Sequence, residues 1–575
     1  MNNSMTCKSP RSITENRLQI PTIFRYFLSK RGVEGDEALG RFLFPRLADL
    51  PKPEKMQNLA KAAHLVVEYM TAEKQIVIWG DYDVDGTTGT ALLVNFFREY
   101  NIEVSWHIPN RLTEGYGLNI EWFQQHRGSS LNNDFLLITV DCGIANGPEI
   151  ACIKKMGGQV IVTDHHTLPE HGLPECLILN HSMTTCGFHG EQLAGVGMAF
   201  YLAVGIRAEL VTSQCFTDVA RRINLKQYLA FVALGTIADV VDLTNTNRIL
   251  VRAGLEALSC TKFPGLQELL ATCDIGSGGM VVSEDISYSI GPKINAAGRL
   301  GENDLVVTLL TEQDTAKAKR LATRLTTLNE DRKKISADNL ETTLTTISAT
   351  RADQDKCVIA KGFLHQGVAG IIASKLVEVF GFPALVFAEK ILDDKSIVYV
   401  GSARSIEGIN LIEMLKVCAN FIEHFGGHEM AAGLTVSAGK FDSFSAKFSA
   451  IAKDNWQSRR IQKKKSYDIE CSVENLMSDE YLDFLKLMEP FGPGNIQPIF
   501  QDSRAKIVDS RTIGRTSEHL HLTIRGKFAN LKGIGFGLGN KIQEVQKQPE
   551  RTLIFAPTIN RYRGNVSWQV RVIDV

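Results

Sequence analysis

Three carboxylates, Asp81, Asp83 and Asp85, alternate along GDYDVDG, directly after the apolar run QIVIW. Carboxylates crowded into one turn repel one another, and a bound cation is what makes the crowding tolerable. An EF-hand calcium loop starts in the same way but needs a glutamate at its twelfth position. Here that position is Leu92, and the run before the motif reads as a strand. The pattern points to a catalytic hard-metal site.

Three further segments carry the same kind of residue. VDCG places Asp141 at the end of FLLIT, TDHH places Asp164, His165 and His166 at the end of QVIV, and GTIADVVDL supplies Asp239 and Asp242 after an apolar segment. Carboxylates with imidazole suit Mg²⁺ or Mn²⁺, the imidazole favouring Mn²⁺. One Asp at a strand end is commonly a helix N-cap, and a lone His pair is commonly structural. Four such groups, expected at successive strand ends, converge on one metal site.

The elements that must position them are legible as strands alternating with helices. QIVIWGDYD, FLLITVDCG, GGQVIVTDHH and CLILNH have the β-branched character of buried strands, and TTGTALLVNFFREY that of a helix. Such alternation predicts an α/β domain with a parallel, doubly wound sheet, where ligands bind beyond the carboxyl ends of the strands. Residues 311–348 lack Pro and Gly and predict a long helix joining two domains. A second α/β unit follows, with strands in KCVIAKG, FPALVFAE and SIVYVGSAR, helices around 367–379 and 410–424, and GSARS and GGHEMAAG as Gly-rich turns that admit a phosphate. The remainder reads as short strands and predicts an OB-like β-barrel. The expected organisation is an N-terminal helical extension over 1–55, a first domain over 56–340, a second over 341–455 and the barrel over 456–575.

Composition bounds the setting. Hydrophobic residues at 44% and charged residues at 22% are globular proportions, and no apolar run approaches the ~20 residues of a membrane span. The N-terminus MNNSMTCKSPRSITENRLQI lacks the apolar core of a secretory signal, and eleven cysteines are scattered without a C-x-x-C pair, so a reducing cytoplasm is expected. Lys and Arg (63) nearly equal Asp and Glu (64). Residues 501–575, however, carry 13 basic against 6 acidic residues, an excess of 7, preceded by Arg459, Arg460, Lys463, Lys464 and Lys465. That excess is a candidate nucleic-acid footprint, and Phe528, Phe536, Tyr562 and Trp568 are either base-stacking surfaces or barrel core.

GDYDVDG, VDCG, DHH and ADVVDL, in that order, resemble the four motifs of the DHH phosphoesterase superfamily. The resemblance narrows to its RecJ family of single-strand-specific DNA exonucleases through NRLTEGYG (Arg111, Tyr116), LAGVGMAF, GPKINAAGRLG (Asn295, Arg299), HQGVAGIIASKL, GSARS (Ser402, Arg404), GGHEMAAG (His428) and EPFGPGNIQPIF. It covers nearly the whole chain, including LSKRGVEGDEALGRFLFPRLADL.

It implies two ions, Mg²⁺ or Mn²⁺, with Asp83 and Asp85 split between them, Asp141 bridging, and His165 and Asp239 completing the second. Asp81 is then a ligand or a hydrogen-bond partner of one. His166 and Arg299 meet the scissile phosphate. Arg111, Ser402 and Arg404 hold a 5′-terminal phosphate, with His428 and Asn295 also in the binding set, which sets 5′→3′ release of mononucleotides in DNA repair and recombination. A monomer acting on single-stranded DNA, with a single-strand-binding protein and a helicase as candidate partners and no membrane, is the expectation. Three positions depart from the pattern: Trp79 replaces a frequent histidine, Asp242 a frequent proline, and Asn180-His181 a frequent Asn-Pro. Loss of that histidine is expected to change metal affinity. The alternatives are a DHH phosphodiesterase of short oligoribonucleotides or cyclic dinucleotides, which generally stops after two domains, and a non-catalytic scaffold, against which the retained ligand set argues.

Overall fold

The computed structural model describes residues 20–575 apart from 171, 189–190, 276–278, 348, 393, 459–466, 515, 527–529 and 563–564. Two short helices, α1 (Thr22–Lys30) and α2 (Gly35–Leu43), precede α3 (Leu59–Thr71). Strands β1 (Gln75–Gly80), β2 (Ser105–His107), β3 (Phe135–Val140), β4 (Gly158–Thr163) and β5 (Leu177–Leu179) then form an all-parallel sheet in the order β2-β1-β3-β4-β5. A strand covered on both faces needs a continuous apolar run, and β1, β3 and β4 supply it. Successive side chains go to opposite faces. Ile76, Ile78, Leu136, Ile138 and Ile161 join the core with α3, α4 (Val84–Arg98) and the later helices, whereas Val77, Trp79, Leu137, Val160 and Val162 join Phe123 of α5 (Ile120–His126) and Ile150 of α6 (Gly147–Lys155). Helices on both faces make the sheet doubly wound.

Helix α7 (Gly195–Thr212) is, by length and composition, long and apolar enough to cross a membrane, which the sequence pattern alone did not single out. Its apolarity has a packing cause: most of it is buried against α3 and α4. Helices α8 (Leu229–Ala238), α9 (Asn245–Ser259), α10 (Gly291–Arg299) and α11 (Asp304–Thr311) complete this body, and α12 (Thr315–Thr346), 32 residues long, leads to the next.

The second sheet comprises β6 (Val358–Gly362), β7 (Ala384–Ile391), β8 (Ile397–Arg404), β9 (His424–Gly427) and β10 (Ala431–Ser437), mixed, in the order β6-β7-β8-β10-β9. Helix α13 (Ala369–Phe380) packs on one face, and α14 (Leu411–Val417) and α15 (Phe441–Ser458) on the other. Of the two glycine-rich segments expected as turns, the first belongs to the strand expected over SIVYVGSAR and the second holds a turn. GSAR lies in β8, where Gly401 is needed because a Cβ would sit 2.4 Å from the Phe387 ring. GGHEMAAG spans the hairpin from β9 into β10.

In the last body β11 (Ile469–Glu470) and α16 (Asp479–Met488) lead to β12 (Phe500–Ile513), β13 (His519–Ile524), β14 (Leu531–Gly535), β15 (Glu550–Tyr562) and β16 (Asn565–Asp574). The order is β11-β12-β13-β14-β16-β15, and β15 pairs back onto β12 to close a five-stranded barrel. Register shifts along β12 let one strand bend between two partners. The N-terminal helices share this barrel's core: Phe24 stacks on Phe484 at 4.6 Å and meets Phe500 edge-on. Arg248 of α9, almost fully buried, donates to the carbonyls of Phe42, Leu487 and Met488, tying the first body to both.

Candidate metal centre and facing anion pocket

The acidic motif begins where β1 ends. Asp83 is the N-cap of α4 and accepts a hydrogen bond from Gly86 N–H at 3.1 Å. Gly86 is required because a Cβ there would lie 2.5 Å from the Asp81 backbone. Asp85, two residues on and buried, accepts from Gly195 and Val196 N–H at 2.6 and 2.9 Å, so the start of α7 holds its carboxylate. Asp141 follows β3 in the left-handed region, φ +63, unusual for a non-glycine residue and frequent where function fixes a backbone. Gly195 makes room for it, since a Cβ would sit 2.6 Å from Asp141 Cβ.

These residues converge. His165 Nε2 lies 3.1 Å from Asp141 Oδ1, 3.5 Å from Asp239 Oδ2 and 3.8 Å from Asp85 Oδ2. Three donor sets close to metal-binding spacing overlap here: Asp141-His165-His166, Asp85-His165-Asp239 and Asp81-Asp83-Asp141. One correction concerns Asp239, which was expected at a strand end and instead caps the C-terminus of α8. Helical packing imitates the continuous apolar run of a buried strand, and for a short segment periodicity cannot separate them. Asp242 is not in the cluster. It packs beside Gly494 in the loop before the barrel, and Leu243 N–H bonds Pro493 O at 2.8 Å. Trp79 turns to the opposite face of β1, where its ring stacks with Phe123 and its Nε1 donates to Gly117 O.

The electrostatics test whether a cation fits. Burial first, then neighbouring carboxylates, holds Asp81 and Asp141 well above the usual carboxylate range, raises Asp85 to about 7 and raises Asp239 to about 9. Burial beside His166 pushes His165 down to about 3, leaving a neutral ring able to ligate. Asp81 Oδ1, Asp141 Oδ1 and His165 Nε2 are buried without a hydrogen-bond partner. Buried polar atoms are ordinarily satisfied, and one or two divalent cations would satisfy all three and offset the carboxylate repulsion. The residues fit the group.

Asp164 has a different task. Burial alone would raise it, but the ring and backbone of His166 and Ile144 N–H donate to its carboxylate and hold it below its ordinary value. In return, and against burial, it raises His166 to about 9. Asn180 Nδ2 bonds His166 O at 2.9 Å and fixes the same loop.

Beside this centre, Arg111, Arg299, Ser402 and Arg404 line one cavity of about 150 Å³ between the two α/β bodies. Arg299 donates to Gly367 O at 3.1 Å, joining α10 to the second body, and no carboxylate pairs with Arg111, Arg299 or Arg404 among the described residues. Burial, with Arg111 among the facing guanidiniums, lowers Arg299 to about 10 and also lowers Arg404. Uncompensated guanidiniums around a small cavity select an anion.

Sequence reasoning missed Gln366, Gly367 and Gly370, which line the cavity at the start of α13; a Cβ on Gly370 would lie 2.9 Å from Arg404 Nη2. The glycines of HQGVAG just before a helix were the available signal. It also missed Tyr82, whose ring lies 5.1 Å from the Arg111 guanidinium. His428 sits exposed on the hairpin next to the cavity-lining Gly427. Asn295, one turn before Arg299 on α10, is half-buried and its side chain makes no hydrogen bond among the described residues. In the barrel, Phe536 is exposed, Trp568 is half-buried beneath Lys486, and Phe528, the Tyr562 side chain and the basic run at Arg459, Arg460, Lys463, Lys464 and Lys465 lie outside the described residues.

Family models agree with this three-body arrangement. The DHH family, N-terminal domain, matches residues 75–236, the DHHA1 domain 354–454 and the RecJ OB domain 467–574. The single-stranded-DNA-specific exonuclease RecJ of Haemophilus influenzae is 34% identical over 92% of each chain, and that of Escherichia coli 31% identical over 97% of this chain and 96% of its own. The crystal structure of Thermus thermophilus RecJ in complex with Mn²⁺ superposes with a TM-score of 0.75 at 27% identity, covering 97% of this chain and 78% of that one. The chain belongs to the RecJ family of single-stranded-DNA-specific exonucleases.

Proposed function

We propose that this protein is a divalent-metal-dependent exonuclease that releases mononucleotides from single-stranded DNA in the 5′→3′ direction, in repair and recombination. The observation that carries the reading is the juxtaposition of two uncompensated charge sets, an acidic and imidazole cluster beside a pocket of three arginines.

In this reading Asp83, Asp85, Asp141, His165 and Asp239 hold two ions, Mg²⁺ or Mn²⁺, and Asp81 ligates or orients. Two such ions, when bound, lower the pKa of water and stabilise the attacking and leaving oxygens of an in-line displacement. Asp164 grips His166 at Nδ1 and so directs the other ring nitrogen toward the scissile phosphate, while Arg299, anchored on Gly367 O, offers its remaining donors to the same charge. Arg111, Ser402 and Arg404 take the 5′-terminal phosphate, and His428 and Asn295 flank the strand. The outward face of β12, β13 and β14 presents Arg511, His521 and Lys532, with Arg511 and Lys532 close enough to lower the His521 ring after burial has done so. Basic groups there suit a long polymer rather than a dinucleotide. We place the protein in the cytoplasm as a monomer working with a single-strand-binding protein and a helicase.

Incubation with 5′- and 3′-labelled single strands, duplex, RNA and a cyclic dinucleotide, with Mn²⁺, Mg²⁺ or chelator, tests this. Metal-dependent loss of the 5′ label from single strands is expected. Preferential turnover of the cyclic dinucleotide would replace the reading.

A further inference from the structure

The three arginines of the anion pocket are held in different ways. Arg299 donates to Gly367 O at 3.1 Å and Arg404 to Ala403 O at 2.8 Å, so a backbone carbonyl fixes each. Arg111 has no such tie: among the described residues its guanidinium makes no hydrogen bond and no ion pair. The backbone around it is anchored, with Asn303 Nδ2 donating to Pro109 O at 2.7 Å and Asn110 N–H to Glu114 at 2.9 Å. What meets the side chain is the ring of Tyr82, whose centre lies 5.1 Å from the guanidinium carbon.

Tyr82 is itself clasped. It is half-buried between Asp81 and Asp83 in the acidic motif, and α10 runs close against it: a Cβ on Gly298 would lie 3.1 Å from the ring Cδ2 and 2.8 Å from Tyr82 O. The missing side chain at Gly298 lets the helix that carries Arg299 close on the ring. A guanidinium laid against an aromatic ring is attracted through its face, and its edge keeps the N–H donors that a phosphate takes two at a time. Without that support an arginine side chain samples many rotamers and loses more entropy on binding.

We propose that Tyr82 is a positioning residue for the 5′ end: its ring holds the Arg111 guanidinium with the donors free for the terminal phosphate. The proposal rests on Arg111 taking that phosphate, as in the proposed function. The ring carries the role rather than the hydroxyl, which makes no hydrogen bond among the described residues. Because Asp81 and Asp83 flank it in the chain, the same residue ties the end pocket to the metal centre.

Steady-state cleavage by the Mn²⁺-loaded full chain, on one single strand carrying a 5′-phosphate or a 5′-hydroxyl, tests this. Tyr82→Leu is expected to raise KM for the phosphate strand by roughly two- to thirtyfold, the range of a cation–π contact, with KM for the hydroxyl strand unchanged. Tyr82→Phe is expected to keep the preference. Arg111→Ala is expected to lose it, and adding Tyr82→Leu to Arg111→Ala to reduce it no further. Each preference compares two strands on one preparation, so a partly folded variant leaves it unchanged. Tyr82→Met, unbranched and without a π face, repeats the measurement if the leucine variant does not fold. An undiminished preference in Tyr82→Leu where Arg111→Ala loses it, an equal loss on both strands, a further loss in the double variant, or Tyr82→Phe behaving as the leucine would overturn the proposal and leave the role of Arg111 in place. A preference that survives Arg111→Ala would remove that role and the proposal together.

Discussion

The acidic cluster and the arginine pocket are built in opposite ways. One body supplies the cluster, from the ends of β1, β3 and β4 and the end of α8, with Asp81, Asp85 and Asp141 buried and Asp83 and Asp239 half-buried. Two bodies supply the pocket, and the hydrogen bond from Arg299 to Gly367 O ties them together beside it. Yet each lacks its own counter-charge. Folding has left negative groups without cations on one side and guanidiniums without carboxylates on the other, and such arrangements cost stability unless ligands complete them. In the proposed reading a metal-bound strand end completes both, with the cluster assigned the chemistry and the pocket the choice of which end of the strand arrives there.

The cluster is expected to be the more sensitive. Asp141→Ala removes the carboxylate shared by two donor sets, and since a catalytic metal supplies several kcal/mol, at 1.36 kcal/mol per decade, kcat is expected to fall at least roughly a thousandfold. Circular dichroism distinguishes that from unfolding, and near-normal turnover would remove Asp141 from the chemistry. Arg404→Ala is expected to cost less. Charge-assisted hydrogen bonds contribute ~1.5–3 kcal/mol, so the preference for a 5′-phosphate over a 5′-hydroxyl is expected to drop by roughly ten- to a hundredfold. Equal preference in Arg111→Ala and Arg404→Ala would place end recognition elsewhere.

Away from both sites the effects shrink. Cutting the chain near residue 456 would strip the carbonyl partners of buried Arg248 and the Pro493 hydrogen bond beside Asp242, so it tests folding as much as binding. Substituting exposed Arg511 and Lys532 by Ala is cleaner, and each basic group taken off the phosphate backbone should lower the logarithmic salt slope for long single strands by ~0.7. An unchanged slope would make the barrel a structural or partner-docking element.

The smallest effect is on stability. Asp85 and Asp239, held up to about 7 and about 9, contribute stability that is full below their unfolded values near 4 and is lost as pH rises through the folded ones. A bound cation removes that loss. The Mn²⁺-dependent gain in Tm is therefore expected to be larger at about pH 9 than at about pH 6.5, by about 2–4 °C for each kcal/mol. An equal gain at both would show that these carboxylates do not hold the metal.

Most of the cluster was legible in sequence because three of its segments follow strands, and a strand end fixes where a side chain emerges. Asp239 gave its chemistry but not its element, since an apolar helix buried all round looks like a buried strand. Asp242 looked equivalent three residues later, but the helix stops at Ala238 and Val240 takes φ +63, which turns the chain toward Gly494. Ser402 and Arg404 were found through their motif and lie in the strand expected over SIVYVGSAR, while the turn also expected at GSARS is absent because Gly401 serves ring packing rather than chain reversal. Gln366 and Gly370 were passed over, because a pocket assembled from two bodies leaves no period in either segment.

Filter binding and single-turnover cleavage of 5′-phosphate and 5′-hydroxyl single strands, compared in Asp141→Ala and Arg404→Ala, test the division of labour directly. Asp141→Ala is expected to keep the 5′-phosphate preference in binding while losing cleavage, and Arg404→Ala to lose the preference while cleaving what it binds. If Asp141→Ala loses the preference, or Arg404→Ala keeps it, the two charge sets do not divide chemistry from end recognition.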